Sequence, residues 1–407
     1  MAEKYVTRDI EGVLRQAAKQ FPSVIITGPR QSGKTTILKH LFSKNHKYVS
    51  MDNPDLRLMA IREPALFFEN FPPPIIIDEI QYAPQLLSYI KIIIDKNRRA
   101  KGQFFLTGSQ IFPLMAKAGE SLAGRIAVFT LLPLSFKEQF TRHALRSLRN
   151  IEELKNRILI GGFPEPALAH KLNLEIWFAS YLQTYLERDV RQLRQIGDLG
   201  DFQRFLQLLA AFNGQAVNLS SLSRDLGVAV NTVKAWFSVL EASGQIISIK
   251  PFYLNKGKRI IKSQKIYFLD TGLLCYLSGI SSEKQLFKGP LSGQMLETAV
   301  VGEVAKNFYN QGKIPRIFWW RTSHGDEVDF IIEDKGKIIP VEVKLSAKIN
   351  SDMAKGLVSF CKLFHDKVNK AFLVNLAKEK IVMKKRIIAI PFAGFIEQLR
   401  NPKGLIF

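Results

Sequence analysis

Apolar residues along roughly the first 135 positions occur in short blocks, and helical patterns separate one block from the next. Five blocks predict strands, namely SVIITG, KYVSMD, PIIIDE, GQFFLTG and RIAVFTLL. Strands that alternate with helices indicate a parallel sheet covered by helices on both faces. The pattern therefore predicts an α/β domain over residues 1–135.

The rest of the chain divides into three further segments. Residues 136–215 have Leu, Arg and aromatic residues three or four positions apart, which predicts a helical lid or connector. In residues 216–280, two helical patterns flank Gly227 and two basic strands follow, an order typical of a winged helix-turn-helix. Residues 285–407 mix helices with strands and predict a second α/β domain.

Apolar residues also alternate with others on both sides of Lys335-Gly336, which predicts a β-hairpin. A two-residue turn would place Asp329 directly opposite Glu342, and two opposed carboxylates destabilise a strand pair. The predicted core face carries Val328, Phe330, Ile332, Ile339, Val341 and Val343. The other face carries Glu327, Asp329, Glu342 and Lys344. It is either a solvated face, on which the Glu327–Lys344 pair offsets the repulsion, or a site that holds a cation.

Composition excludes a disordered chain, because 46% of the 407 residues are apolar. The net charge of +22 implies a polyanionic partner, which is nucleic acid or an anionic membrane surface. No uninterrupted apolar run is long enough to span a membrane, and the start lacks a signal-peptide core. The two cysteines match no metal-ligand spacing. We therefore expect a cytoplasmic protein, and of the two polyanions we expect nucleic acid, not a membrane, as its partner.

The segment GPRQSGKTT fits the phosphate-binding pattern G-x-x-x-x-G-K-[ST], and it follows a strand and precedes a helix. Lys34 is expected to bridge the β- and γ-phosphates of ATP, and Thr35 to hold Mg²⁺. The predicted nucleotide-binding residues are Gly28, Pro29, Arg30, Gln31, Ser32, Gly33, Lys34, Thr35 and Thr36.

Three other strand ends add candidates for the same site. The strand in PIIIDEIQ ends in Asp78, a predicted Mg²⁺ ligand, and Glu79, the predicted base for the attacking water. Ser109 in FFLTGSQ is a candidate sensor of the γ-phosphate. Arg125 precedes the last strand and is either an ordinary surface arginine or a group that reaches a neighbouring subunit's nucleotide.

The chain resembles prokaryotic AAA-superfamily ATP-binding proteins that carry a C-terminal nuclease-like domain of unknown function. The resemblance rests on GPRQSGKTT, IIIDEIQYAP, FFLTGSQ and SLAGRIAVFTLLPLSFKEQF, and it continues through GGFPEPAL, TYLERDV, KIYFLDTGL and EVDFIIE…VEVK. It implies a hydrolytic AAA-type core that assembles into a homo-oligomeric ring or partial ring, with a hexamer as one option. In such rings an arginine before the fifth strand reaches the next subunit, which favours Arg125, although Arg188 remains open.

The polar face of the hairpin has the spacing of PD-(D/E)xK nucleases, in which an Asp and a Glu-x-Lys lie on adjoining strands. This arrangement predicts a restriction-endonuclease-like domain in which Asp329 and Glu342 hold Mg²⁺ and Lys344 supports hydroxide or phosphate. A glutamate from the preceding helix completes such sites. Glu297 lies on the apolar stripe of that helix and is the expected ligand, whereas Glu303 points about 120° away and is expected to be exposed.

Basic residues are concentrated around the two strands that follow the helix-turn-helix. They are Lys250, Lys256, Lys258, Arg259, Lys262 and Lys265. Such a wing would contact DNA phosphates, or it would be a solvated surface of a domain used for packing. The sequence therefore predicts an oligomeric ATPase coupled to DNA binding, remodelling or processing. The alternative is a nucleotide-switched regulatory protein whose accessory domains bind proteins and whose nuclease-like domain is inactive.

Overall fold

The structure is a computed structural model that describes residues 5–108, 122–140, 147–148, 150–169, 171–186, 199–253, 264–334 and 336–399. The chain forms two compact units. The first comprises Met1–Pro133, Ala242–Gly244 and Phe308–Lys313, and the second comprises Leu134–Glu241, Gln245–Asn307 and Ile314–Phe407. The predicted four-part division at 136, 216 and 285 stays a prediction.

The first unit is built on a five-stranded parallel sheet of order β2-β3-β4-β1-β5. Its strands are β1 (Ser23–Thr27), β2 (Lys47–Ser50), β3 (Ile75–Asp78), β4 (Phe104–Thr107) and β5 (Ile126–Thr130). Alternate residues enter different hydrophobic clusters, with Ile25 and Leu106 in one and Val24 and Phe105 in the other. The predicted parallel sheet with apolar contacts on both faces is confirmed.

Helices occur throughout the described residues. In chain order they are α1 (Glu11–Gln20), α2 (Lys34–Phe42), α3 (Pro54–Arg62), α4 (Pro64–Asn70), α5 (Leu86–Lys96), α6 (Phe136–Gln139), α7 (Ile151–Ile160), α8 (Pro164–Leu168), α9 (Leu174–Tyr181), α10 (Leu199–Ala211), α11 (Leu219–Leu226), α12 (Val230–Ala242), α13 (Thr271–Leu277), α14 (Glu283–Lys288), α15 (Ser292–Asn310), α16 (Lys355–Leu363) and α17 (Phe392–Leu399). None of them is both long and apolar enough to cross a membrane, within the part of the chain that the structure describes.

The second unit contains a nine-stranded sheet of order β13-β14-β12-β11-β10-β9-β7-β8-β6. The strands are β6 (Ala216–Val217), β7 (Ile246–Pro251), β8 (Gln264–Phe268), β9 (Ile317–Arg321), β10 (Glu327–Asp334), β11 (Lys337–Val343), β12 (Ala371–Asn375), β13 (Ile381–Lys384) and β14 (Ile387–Pro391). Strand β7 pairs in parallel with β9. The two basic strands after the helix-turn-helix therefore belong to the same sheet as the hairpin.

The helix-turn-helix segment has the element order that the sequence predicts. Helix α11 ends at Leu226, the capping residue Gly227 adopts a left-handed conformation with φ of 71°, and α12 follows. Leu222 and Trp236 are buried, whereas Lys234 is exposed. Strands β7 and β8 then pair antiparallel. The assignment as a winged helix stays a prediction.

The predicted register of the hairpin is confirmed. Phe330 lies opposite Val341 and Asp334 lies opposite Lys337, so the same register places Asp329 opposite Glu342. The prediction of a single core face is wrong, because Ile331 and Ile338 on the other face are also buried against α16.

Candidate functional site

Residues 28–33 form the turn between strand β1 and helix α2, and Lys34, Thr35 and Thr36 form the first turn of that helix, in the predicted order of strand, turn and helix. Gly28 has φ of 129°, and a Cβ atom there would lie 2.3 Å from the Leu131 carbonyl oxygen. Gly33 has φ of 91° and is the N-cap residue of α2. Both conformations favour glycine, and they leave backbone N–H groups at a helix N-terminus, where phosphate groups bind. The Ser32 hydroxyl is buried and has no hydrogen-bond partner among the described residues.

The side chain of Lys34 is buried and folds back over this loop. Its Nζ donates hydrogen bonds to the Gly28 carbonyl at 3.1 Å and to the Pro29 carbonyl at 2.7 Å. These two hydrogen bonds hold the ammonium beside the glycine-rich loop of residues 28–33. Three other residues of the predicted nucleotide-binding segment differ in their surroundings. Arg30 donates a hydrogen bond to the Tyr82 hydroxyl at 3.3 Å, Gln31 adopts a left-handed conformation with φ of 58°, and Thr36 is exposed.

Asp78 brings the loop and strand β3 together. Its Oδ1 accepts hydrogen bonds from Thr35 Oγ1 at 2.7 Å and from Thr107 Oγ1 at 2.5 Å, and its Oδ2 accepts one from the Tyr48 hydroxyl at 2.9 Å. Burial and the adjacent Asp78 charge raise the pKa of Tyr48 above its ordinary value, so the phenol keeps its proton. Thr35 and Asp78 thus present a hydroxyl and a carboxylate oxygen side by side, which is a donor pair that suits Mg²⁺.

Glu79 follows Asp78 in a left-handed conformation with φ of 55°, unusual for a residue with a side chain. Its backbone N–H donates to Thr107 Oγ1 at 3.0 Å, and its carboxylate accepts a hydrogen bond from the Gln81 amide. Asp78 and Glu79 lie in different environments, although they are consecutive. Asp78 is buried against the loop, whereas Glu79 is partly exposed.

Two residues at this site were missed by sequence reasoning. Thr107 contacts Asp78 and Glu79, and the only available signal was that it ends the strand that precedes Ser109. Arg8 is buried and donates to the carbonyls of Ser32 at 3.0 Å and Leu132 at 2.7 Å. Nothing in the local pattern around Arg8 pointed to this role. Ser109 itself lies outside the described residues.

Arg125 does not project freely from its chain, contrary to the expectation for a group that reaches a neighbour. Its guanidinium donates to both oxygens of Asp95, at 2.8 and 2.9 Å. Arg125 directly precedes Ile126, the first residue of β5, and Ile126 pairs with Ser23, the first residue of β1. Arg125 therefore lies at the amino end of these parallel strands, whereas the turn of residues 28–33 follows the carboxyl end of β1. The other candidate, Arg188, lies outside the described residues.

The predicted nuclease-like residues lie in the second unit, in a group that we name the carboxylate cluster. It comprises Glu297, Glu327, Asp329 and Glu342, together with Lys265, Tyr267 and Lys344. Asp329 Oδ2 accepts a hydrogen bond from the Val343 N–H at 2.7 Å, and Glu342 Oε1 accepts one from Lys344 Nζ at 2.6 Å. Burial raises the pKa of Glu342, the Asp329 charge raises it further, and Lys344 opposes both.

Glu297 of α15 lies at this cluster. Its Oε1 accepts a hydrogen bond from the buried Tyr267 hydroxyl, and burial together with the charge of Asp329 raises its pKa. Among the described residues, however, no group of three or more His, Cys, Asp or Glu side chains is arranged to hold a metal ion. The predicted metal ligands Glu297, Asp329 and Glu342 are therefore not preassembled, and metal binding there stays a prediction.

Two expectations about neighbouring residues are corrected. Glu303 is buried rather than exposed, because its carboxylate accepts a hydrogen bond from the Phe136 N–H at 3.0 Å and lies 3.4 Å from Lys306 Nζ. Lys265 does not lie on a solvated wing, because its side chain is 7% exposed and its Nζ is 2.6 Å from Glu327 Oε1. Lys256, Lys258, Arg259 and Lys262 lie outside the described residues.

Comparison with known proteins agrees with the geometry of the first unit. Residues 20–140 match the family model of an AAA domain. This match supports an AAA-superfamily ATPase. Two models described as domains of unknown function match residues 151–284 (DUF8612) and 292–395 (DUF4143).

Similar proteins cover most of the chain. The uncharacterized protein Rv2008c of Mycobacterium tuberculosis is 29% identical over 390 residues, which cover 94% of this chain and 83% of the relative. An uncharacterized protein of Haemophilus influenzae is 23% identical over 360 residues, covering 82% and 85%. Among solved structures, the Walker-type ATPase PABY2304 of Pyrococcus abyssi superposes with a TM-score of 0.45 at 16% identity, covering 68% of this chain and 97% of that one.

Proposed function

We propose that this chain is a Mg²⁺-dependent ATP hydrolase of the AAA type that works as a homo-oligomer and couples hydrolysis to DNA binding, remodelling or processing. The observation that carries the proposal is the Thr35–Asp78 pair, whose hydroxyl and carboxylate oxygens are 2.7 Å apart beside the glycine-rich loop. Two free cysteines and the absence of a spanning helix among the described residues are compatible with a cytoplasmic location.

Each residue of the site has a distinct part in the proposed reaction. The loop N–H groups and Lys34 bind the β- and γ-phosphates, and Thr35 and Asp78 hold Mg²⁺. When bound, Mg²⁺ neutralises phosphate charge. Glu79 orients the attacking water and accepts its proton, and Thr107 fixes Asp78 and the Glu79 backbone relative to each other.

Substitution of Glu79 tests the hydrolytic role. Glu79→Gln should retain ATP binding while turnover falls at least about 100-fold, because the water loses its base and the phosphate contacts survive. Lys34→Ala should instead weaken ATP binding itself. The exposed Glu69 supplies a matched control, since Glu69→Gln removes a carboxylate from the same unit without touching the site. Turnover of Glu79→Gln at the wild-type rate would remove Glu79 from the mechanism.

Mixed subunits test the oligomer. If Arg125 completes a neighbour's site, it must exchange Asp95 for that nucleotide, so Arg125→Ala should bind ATP normally but hydrolyse it slowly. Mixing Arg125→Ala with Glu79→Gln should restore part of the turnover, because some interfaces regain both groups. The same mixture made with Arg188→Ala decides between the two arginines. Full activity of isolated monomers would contradict the oligomeric site.

DNA coupling is tested by turnover in the presence of duplex, single-stranded and branched DNA at low salt. We expect at least one of these DNA structures to change the ATPase rate. A rate that none of them changes would favour the regulatory alternative, in which the accessory domains bind proteins.

A further inference from the structure

Strand β8 contributes two side chains to the carboxylate cluster. Lys265 and Tyr267 are two positions apart on the strand, so they point to the same side of it. Tyr267 is fully buried and donates its hydroxyl proton to Glu297 Oε1. Lys265 Nζ lies 2.6 Å from Glu327 Oε1. The strand therefore places a phenol and an ammonium among carboxylates from α15 and β10.

Lys265 is enclosed by more than one acid. The carboxylates of Glu297 and Asp329, in addition to Glu327, are close enough to act electrostatically on its ammonium. Trp319 borders it as well, with Nζ 5.6 Å from the ring centroid. A buried ammonium is stable only where opposite charges surround it. Lys265 therefore meets the same electrostatic need as a bound cation.

Each carboxylate of the cluster already interacts with a hydrogen-bond donor or an ammonium group of the chain. Tyr267 donates a hydrogen bond to Glu297, and the Val343 N–H donates one to Asp329. Lys265 forms an ion pair with Glu327, and Lys344 donates a hydrogen bond to Glu342. One buried carboxylate oxygen, Glu342 Oε2, has no hydrogen-bond partner among the described residues. A divalent ion needs several oxygen ligands converging on one point, and the described residues offer no such group.

We propose that Lys265 is an internal counter-ion that takes the place of the divalent metal which the Asp and Glu-x-Lys pattern implies. The cluster then keeps the fold of a metal-dependent nuclease site without its metal affinity. It neither binds Mg²⁺ or Mn²⁺ at millimolar concentration nor cleaves phosphodiesters by metal activation. Two ammonium groups, those of Lys265 and Lys344, replace the charge that a divalent cation would bring.

Removal of Lys265 should create the metal site that its presence prevents. We expect Lys265→Met to be destabilised without metal, because the facing carboxylates lose their counter-ion. Millimolar Mn²⁺ should then raise its Tm by about 3 to 5 °C more than it raises that of wild-type protein, since an ion that binds only the native state stabilises it by mass action. The full-length protein is used throughout, without nucleotide.

Three controls make the comparison specific. Lys265→Met/Asp329→Asn should lose the additional Mn²⁺ response, which places it at this cluster rather than at Thr35 and Asp78. Lys250→Met removes an exposed lysine from the neighbouring strand and should respond as wild type does. Lys265→Arg keeps the positive charge and should show no additional response.

Two outcomes would overturn the proposal. The first is a wild-type Tm response to Mn²⁺ that Asp329→Asn abolishes, because the cluster would then hold metal while Lys265 is present. The second is a folded Lys265→Met protein with no additional Mn²⁺ response. If Lys265→Met does not fold, calorimetric titration of wild-type and Asp329→Asn protein with Mn²⁺ decides alone: equal binding supports the counter-ion, and a site lost in Asp329→Asn contradicts it.

Discussion

At the scale of single residues, Thr107 connects the two acids of the proposed ATP site. Thr107→Val should lower turnover roughly 10- to 100-fold, because Asp78 and the Glu79 backbone lose a common anchor and small displacements at a reacting centre are costly. The lost hydrogen bond to a charged group should also cost about 1.5 to 3 kcal/mol of stability. ATP turnover and urea unfolding measure the two effects. Thr107→Ser keeps the hydroxyl and removes only the methyl group, so turnover near the wild-type rate in Thr107→Ser would assign the loss in Thr107→Val to the hydroxyl.

Glu303 should make stability depend on pH. Burial raises its pKa from 4.5 to about 7, although Lys306 opposes the shift. Because the folded pKa is the higher one, the stability from this group is fully present below pH 4.5 and declines as pH rises through 7. Glu303→Gln mimics the protonated form, so the wild type should lose on the order of 2 kcal/mol relative to it between pH 5 and pH 8. Urea unfolding at both pH values measures this difference, and parallel pH dependences of the two proteins would contradict it.

At the scale of residues, the sequence indicates which side chains lie close together when they belong to one motif, although their roles stay predictions. Lys34 contacts Gly28 and Pro29, which lie only a few positions before it in the same motif. Lys265 was misread because a lysine on a basic strand looks solvated, and only the packing of β8 against α15 and β10 reveals the acids around it. Tyr267 was missed for the same reason.

At the scale of elements, the turn of the hairpin depends on one glycine. Gly336 has φ of 79° and open space around the position of a Cβ atom, so Gly336→Ala meets conformational strain but no steric clash. We expect a loss of about 1 kcal/mol in the free energy of unfolding. Gly293 in α15 also has open space but no positive φ, and Gly293→Ala should instead add about 0.5 kcal/mol. Chemical unfolding of both variants tests the opposite signs; equal signs would exclude backbone conformation as the cause.

The same hairpin shows how far patterning alone could predict the fold. Its register follows from a local turn and a two-residue pleat, so Asp334 was correctly placed opposite Lys337. The irregular pairing with β9 between Val328 and Ile331 has no signal in the alternation. The burial of Ile331 depends on α16, whose position is set by tertiary packing. The register of the hairpin was therefore predictable from the sequence, but the burial of its second face was not.

At the scale of the whole molecule, the charge of +22 should appear in the salt dependence of DNA binding. If Lys256, Lys258, Arg259 and Lys262 each contact a phosphate, their replacement by Ala should reduce the slope of log K against log salt by about 3.6 for duplex DNA, because each contact releases counter-ions. Fluorescence anisotropy at several salt concentrations measures the slope.

A matched variant separates phosphate contact from net charge. Lys378, Lys380, Lys384 and Lys385 are exposed and lie on or beside β13, so their replacement by Ala removes the same charge elsewhere in the second unit. If the basic strand pair is the DNA-binding surface, this variant should keep nearly the wild-type slope, because long-range charge is largely screened beyond about 8 Å at physiological ionic strength. An equal decrease of the slope in both variants would show that DNA binding depends on the total charge of the protein. The basic strand pair would then not be a specific DNA-binding surface.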